Sequence, residues 1–260
     1  MHVLDIIQVP LLRDNYAYVL HDAASGETAV LDPSSSLPIL ELLEQKGWRL
    51  TYILNTHHHF DHTGGNEDIK ARTSCKIVSS YTDRERIPGG ADMTLKEGDA
   101  ISIGSSTASI LEIPGHTIGD IAFYFPQEQA VFCGDALFSL GCGKMFEGTP
   151  EQMWNSLRRL ADLPRDTKLY CGHEYTQANG QFALSVDPHN DALKNYLHQV
   201  EDLRREGRPT VPSTIAIEVA ANPFLRAPAI VNESGELGIS PAPHDAFAHL
   251  RHKKDQFVTQ

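Results

Sequence analysis

Basic residues are outnumbered in this 260-residue chain: 22 lysines and arginines stand against 34 aspartates and glutamates, a formal net charge of −12. Binding a polyanion needs a basic face that displaces counterions, so this balance excludes nucleic acid as the expected partner. Long apolar runs are also missing, although 41% of the residues are hydrophobic. No segment is therefore expected to cross a bilayer, and no membrane partner is expected. The stretch Met1 to Ile7 lacks a basic region followed by a long apolar core, which reads as an unsecreted, cytoplasmic protein. Cysteine is scarce: Cys75, Cys133, Cys142 and Cys171 contain no C-x-x-C pair. They fit buried thiols in a reducing compartment better than a disulfide framework. Repeats and low-complexity tracts are absent too. What remains can bury a full core, as one large domain or two smaller ones.

Histidine, by contrast, is concentrated. Thr56-His57-His58-His59-Phe60-Asp61-His62 packs imidazoles and a carboxylate into seven residues. The preceding run Leu50-Thr51-Tyr52-Ile53-Leu54 is β-branched and aromatic, and reads as a buried strand. If the chain stays extended beyond it, His57 and His59 share one face and His58 takes the other. Asp61 and His62 fall where the backbone turns, before Gly64-Gly65 and a helix-like segment from Asn66 to Arg72. His57 with His59 reads as one ion's ligands, and Asp61 with His62 as another's.

Four groups leave two ions short of ligands, and further candidates occur in a repeated setting of short apolar strand, glycine and ligand. Ser109 to Ile113 leads to Gly115-His116, Ala130 to Cys133 to Gly134-Asp135, and Lys168 to Cys171 to Gly172-His173. Strand ends are where α/β sheets gather their ligands. Singly, His116, Asp135 and His173 would read as structural; the shared setting makes them metal candidates. His2, His21, His189, His198, His244, His249 and His252 read as surface or packing residues.

From Val3 to about His173 the chain alternates strand-like segments with helices at Leu37 to Lys46 and Pro150 to Ala161. After Glu174 the strand signal disappears. Ala192 to Glu206, Thr214 to Ala221 and Asp245 to Lys254 have helical spacing, separated by loops at Gly207 to Pro209 and Gly235 to Pro243. Arg251, Lys253 and Lys254 form a short basic patch that suits one small anion, or else cations complementing a helix end.

The H-x-H-x-D-H run, followed by an isolated His, an Asp and a last His, resembles the metallo-β-lactamase superfamily. The resemblance implies an α/β fold, a four-layer αβ/βα sandwich with a two-metal site at one edge. It implies His57, His59 and His116 on one ion, Asp61, His62 and His173 on the other, and Asp135 bridging. With the helical tail, the chain resembles the glyoxalase II (hydroxyacylglutathione hydrolase) family along its whole length: a catalytic domain over 1–173 and a helical substrate-binding domain over 174–260. The runs Asp14-Asn15-Tyr16, Gly141-Cys142-Gly143-Lys144, Gly172-His173-Glu174-Tyr175, Asn222-Pro223-Phe224 and Lys254-Asp255-Gln256-Phe257 look like that family's motifs. The resemblance then implies that Lys144, Arg251 and Lys254 hold the glycine carboxylate of glutathione and that Tyr175 contacts its peptide. Phe146 stands where many relatives have tyrosine, which removes one hydroxyl from the substrate site at a cost of about 1 kcal/mol.

The expected activity is hydrolysis of a glutathione thioester by a monomer holding two divalent ions, zinc first, with iron or manganese as alternatives. A water shared by two ions has a pKa of about 7 and would attack the thioester carbonyl. Asp61 and Asp135 would serve both as ligands and as anchors for that nucleophile. Competing expectations are a mononuclear iron dioxygenase acting on glutathione persulfide, another hydrolase of the same fold, such as one acting on lactams, and a metal-binding scaffold without activity.

Overall fold

Alternating and β-branched segments build the N-terminal part of the chain, as the spacing of its apolar residues requires. The structure is a computed structural model that describes residues 4–238 and 240–258. It divides into two compact units: the chain up to Glu112 with Gly119–Gly134, and Ile113–Ile118 with the chain from Asp135 onward.

The first unit opens with β1 (Asp5–Leu11), β2 (Asn15–His21) and β3 (Thr28–Leu31), followed by α1 (Leu37–Lys46), β4 (Leu50–Leu54), α2 (Phe60–Thr63), α3 (Asn66–Thr73), β5 (Lys76–Ser80) and β6 (Met93–Leu95). The strands form one sheet in the order β1-β2-β3-β4-β5-β6. It is antiparallel through β3 and parallel from β3 to β6. The parallel part needs crossovers, and α1 connects β3 to β4 while α2 and α3 connect β4 to β5. Ile39 and Leu43 of α1 and Ile69 of α3 pack with Val19, Val30, Ile53 and Ile77 in one core cluster. The unit continues with β7 (Ala100–Ile103), β8 (Ser106–Glu112), β9 (Ile121–Phe125) and β10 (Ala130–Phe132). These pair antiparallel in succession.

The second unit carries the two-stranded hairpin β11 (Leu137–Phe138) and β12 (Gly141–Cys142), then α4 (Pro150–Ala161), β13 (Lys168–Tyr170), α5 (Thr176–Val186), α6 (Asp191–Arg205), β14 (Ser213–Thr214), α7 (Ile215–Ala221), α8 (Ala227–Ser234) and α9 (Pro243–Gln256). Helix α4 starts at a capping box, in which Thr149 and Gln152 exchange side-chain to backbone bonds. Asn190 and Thr214 cap α6 and α7 in the same way from one side. Leu140, Ala183, Leu193, Tyr196, Val200 and Ala221 form this unit's own core cluster.

Three features depart from the sequence reading. A strand does follow Glu174: β14 pairs antiparallel with β13. Two residues are too few to show alternation. Helices α5 and α8 were not legible. Helix α5 is interrupted in character by Asn179-Gly180, and α8 spans only two turns. The loop expected over Gly235 to Pro243 gives way at Pro243, the first helical residue of α9; Ile239 within it lies outside the described residues.

Candidate metal centre

The histidine run leaves β4 at Leu54 and is bound into place within a few residues. Asn55 donates through Nδ2 to the His62 carbonyl (3.2 Å). Asp32, just past β3, accepts from the Thr56 amide (2.8 Å) and the Thr56 hydroxyl (2.6 Å). His59 is the residue before α2, whose single turn presents Asp61 and His62. The glycines after it do not serve a left-handed turn: a Cβ on Gly64 would lie 2.7 Å from the Ser34 carbonyl oxygen, and one on Gly65 2.7 Å from that of Pro33. Close approach of two backbones, not φ, requires glycine there.

The expected division of the run holds. His57 and His59 meet, with His57 Nε2 at 3.1 Å from His59 Nδ1. His58 leaves the other way, with Nδ1 at 3.0 Å from Asp83 Oδ2. Two nitrogens bound to one ion at about 2.0–2.1 Å lie about 3 Å apart, so this separation suits a shared cation. His62 Nε2 lies 3.9 Å from Asp61 Oδ2. Asn15 donates through Nδ2 to both the carbonyl (2.9 Å) and Oδ2 (3.2 Å) of Asp61, fixing that carboxylate.

In the second unit, Asp135 Oδ2 lies 3.6 Å from His116 Nε2 and 3.3 Å from His173 Nε2. One carboxylate thus faces two imidazoles, an arrangement suited to a bridging ligand. His116 Nδ1 is 2.7 Å from the Lys144 carbonyl.

The hydrogen bonds behind these rings fit metal ligation. A ligating imidazole engages an oxygen with its other nitrogen, which fixes its tautomer. His57 Nδ1 faces Thr56 Oγ1 (3.1 Å), His62 Nδ1 faces Asp32 Oδ2 (3.1 Å), and His116 Nδ1 faces the Lys144 carbonyl. Each ring so fixed offers Nε2. Asp32, His57 and His62 also have donor atoms within 4.8 Å of one another. Asp32 already accepts the Thr56 amide and hydroxyl and faces the His62 ring, so its bonds orient that ring. Thiols do not compete: burial pushes Cys171 up to about 12 and Cys142 up to about 11, so both are protonated near neutrality. All four cysteines are buried and free of disulfides.

The expected substrate residues occupy the second unit. Lys144 is exposed, with Nζ 5.6 Å from the Phe146 ring centre, and the 62%-exposed Phe146 ring stands edge-on to His116 at 5.3 Å. Tyr175 stacks on His173, with ring centres 4.6 Å apart and planes 8° apart. The basic patch of α9 is split. Lys253 pairs with Glu236 at 2.6 Å. Arg251 is buried, donating to the Cys142 carbonyl (3.0 Å) and to Asp255 (3.0 Å). Lys254 donates to the Ala178 carbonyl at 3.3 Å. At 100° per residue, positions 251 and 254 share a helix face and 253 does not. Burial, and then the Arg251 charge, push Lys254 down to about 8.

Sequence reasoning missed Asp32 and Asp83, and left Thr56 and Asn15 without a role. An acidic residue directly after an apolar strand, as Asp32 is, was the one signal available for any of them.

Comparison with known proteins shows the family. Residues 11–173 match the model of the metallo-β-lactamase superfamily, and residues 174–257 that of the hydroxyacylglutathione hydrolase C-terminus. The hydroxyacylglutathione hydrolase of Methylococcus capsulatus is 51% identical, over 98% of this chain and 99% of its own. That of Rhodospirillum rubrum is 50% identical, over 99% and 100%. Among solved structures, ETHE1 from Myxococcus xanthus shares the fold, with a TM-score of 0.71 at 23% identity over 98% of this chain and 92% of its own. The chain therefore belongs to the metallo-β-lactamase superfamily and, within it, to the hydroxyacylglutathione hydrolase family.

Proposed function

We propose that this protein hydrolyses S-(2-hydroxyacyl)glutathione thioesters, S-D-lactoylglutathione foremost, to glutathione and the hydroxy acid, the second step of methylglyoxal detoxification. The observation that carries this reading is the full-length similarity to hydroxyacylglutathione hydrolases, which spans both the histidine-bearing part and the helical part. We assign His57, His59 and His116 to one divalent ion, Asp61, His62 and His173 to a second, and Asp135 to both. Zinc is the ion that this set of nitrogen and oxygen donors suits first, with iron or manganese as substitutes. When bound, such ions polarise a carbonyl and acidify a coordinated water.

The chain's own groups supply the rest. Asp61 and Asp135 would accept hydrogen bonds from the attacking water and so hold its lone pair toward the thioester carbon. Lys144, Arg251 and Lys254 balance the glycine carboxylate of glutathione, and Tyr175 and Phe146 bound the path of its peptide. No general acid is needed for departure, because a thiol with a pKa of about 8.5 leaves readily as thiolate. Residues 1–173 form the catalytic part and 174–260 the substrate-binding part. The four free thiols support a cytoplasmic setting, and we take the protein to act as a monomer.

The test is loss of thioester absorbance with S-D-lactoylglutathione against an analogue whose glycine carboxylate is amidated. Turnover of both, with kcat/KM at least tenfold higher for the carboxylate, is the expected outcome. Oxygen uptake with glutathione persulfide and no thioester turnover would replace this reading with the dioxygenase one.

A further inference from the structure

Side chains of the helical part hold the hairpin β11–β12. Its turn, Ser139-Leu140, is unusual: Leu140 sits at φ +56, in the left-handed region that a leucine occupies only under constraint. The constraint is visible. The Leu140 amide donates to Glu218 Oε2 of α7 at 2.9 Å. Asn222, which closes α7, donates from one Nδ2 to the Phe138 carbonyl (3.1 Å), the Gly141 carbonyl (2.9 Å) and Glu218 Oε2 (2.9 Å). Asn179 of α5 donates to the Ser139 carbonyl at 3.1 Å, and the Ser139 hydroxyl meets the Tyr196 hydroxyl of α6 at 3.0 Å. The Leu140 side chain packs into the core formed by α5, α6 and α7. Glu218 and Asn222 are both fully buried.

The position of this hairpin in the chain gives the network its meaning. Asp135 lies two residues before β11, and Lys144 two residues after β12. The Gly143 amide donates to the Ala136 carbonyl at 3.4 Å, tying the two ends together. The Lys144 carbonyl faces His116 Nδ1. A change in the turn therefore reaches, through two short strands, both a proposed bridging carboxylate and the group that orients a proposed imidazole ligand. A buried glutamate would be an expensive way merely to fill this space, since an apolar side chain packs there without desolvating a carboxyl group. Burial pushes the Glu218 carboxyl up from the usual carboxylate range, and a glutamine in its place keeps an oxygen acceptor for the Leu140 amide.

We propose that Glu218 and Asn222 are positioning residues of the metal centre: they hold the β11–β12 turn in its strained form and thereby aim Asp135 and the Lys144 carbonyl. The helical part then contributes to metal binding as well as to substrate binding. This inference rests on the reading of Asp135 and His116 as ligands.

The experiment compares Glu218→Ala, Glu218→Gln and Asn179→Ala with a core control, Val200→Ala of α6, which removes packing from the same cluster but no hairpin bond. Zinc affinity is measured by chelator competition on folded protein, alongside the melting temperature, KM and kcat. Glu218→Ala should hold at least one ion about tenfold or more weakly and lose kcat more than it raises KM. Glu218→Gln, which keeps the acceptor for the Leu140 amide, should restore both to near wild type. Val200→Ala should melt lower with affinity unchanged. If Glu218→Ala does not fold, the milder Asn179→Ala carries the test, with an affinity loss of about threefold or more expected. Equal affinity losses in the control, or full affinity and kcat in both Glu218→Ala and Asn179→Ala, would overturn the inference while leaving the metal assignment intact. A wild-type protein that binds no ion would instead refute that assignment, and the inference with it.

Discussion

At the scale of single residues, environment separates groups that the sequence presents as alike. Three cations lie close together near the end of α9, yet Lys253 is engaged by Glu236, Arg251 by Cys142 and Asp255, and Lys254 stands over the rings of Phe182 and Phe257 at 5.3 and 5.6 Å. Lys254 is the one whose charge is poised to change. Its proton leaves at about pH 8 in place of the usual 10.5, because burial and the neighbouring Arg251 disfavour the cation. The sign follows: below about pH 8 it is cationic and can pair with a substrate carboxylate, and above it that partner is lost. KM for lactoylglutathione should rise about tenfold between pH 7 and 9.5, since a hydrogen bond to a charged group is worth about 1.5–3 kcal/mol. Lys254→Ala should start from the higher KM and show little further rise, with kcat nearly unchanged. A wild-type slope that survives in the variant would remove Lys254 from the substrate site. For stability the sign is opposite. The unfolded lysine keeps its proton to about 10.5, so the buried cation is unfavourable below pH 8 and that penalty fades as pH rises from 8 toward 10.5.

At the scale of elements, the ends of strands are built to tight tolerances. Gly134, just past β10, has φ +52, and a Cβ there would lie 2.3 Å from Thr56 Oγ1 and 2.9 Å from Thr56 Cβ. Thr56 is the residue whose hydroxyl binds Asp32 and faces His57 Nδ1. Gly134→Ala should therefore be destabilising by about 1–2 kcal/mol from the left-handed backbone alone, and more from displacement of Thr56. Thermal melting should show the loss, and metal analysis should show reduced occupancy because His57 loses its oriented partner. An alanine variant that melts and binds as wild type would mean that Thr56 moves aside freely. The strand-glycine-ligand pattern was legible because each step is local. Asp83, which receives His58 across 25 positions in the chain, was not, because nothing beside Asp83 in sequence marks it.

At the scale of the whole molecule, the acidic chain places proposed ligands in its interior. His57 and His62 are 1% exposed, His116 and His173 4%, and Asp135 7%. Buried imidazoles and carboxylates in such numbers are satisfied together when cations are bound, and metal binding then adds to folding stability. At a free metal concentration one hundred times Kd, each ion contributes about 2.7 kcal/mol. Removal of both ions by a chelator should abolish thioester turnover and lower the melting temperature by roughly 10–20 °C, given about 2–4 °C per kcal/mol for chains of this class. Restoring zinc should recover both. A melting curve indifferent to chelation would show that the buried cluster does not depend on metal.

The sequence by itself determined the candidate donors, the strands that precede them and the helical nature of the C-terminal part, because these are carried by neighbours along the chain and by periodicity. It also determined the family, through motifs spread over the whole length. Tertiary structure alone decided which groups stand behind the donors: Asp32 behind His62, Asn15 behind Asp61, Lys144 behind His116, and Glu218 with Asn222 behind the hairpin. It also decided that Lys253 pairs with Glu236 while Arg251 and Lys254 turn to another face of α9. Those pairings join residues as many as 84 positions apart. They depend on folding to bring distant polar atoms within hydrogen-bond distance, and no local pattern of residues encodes that.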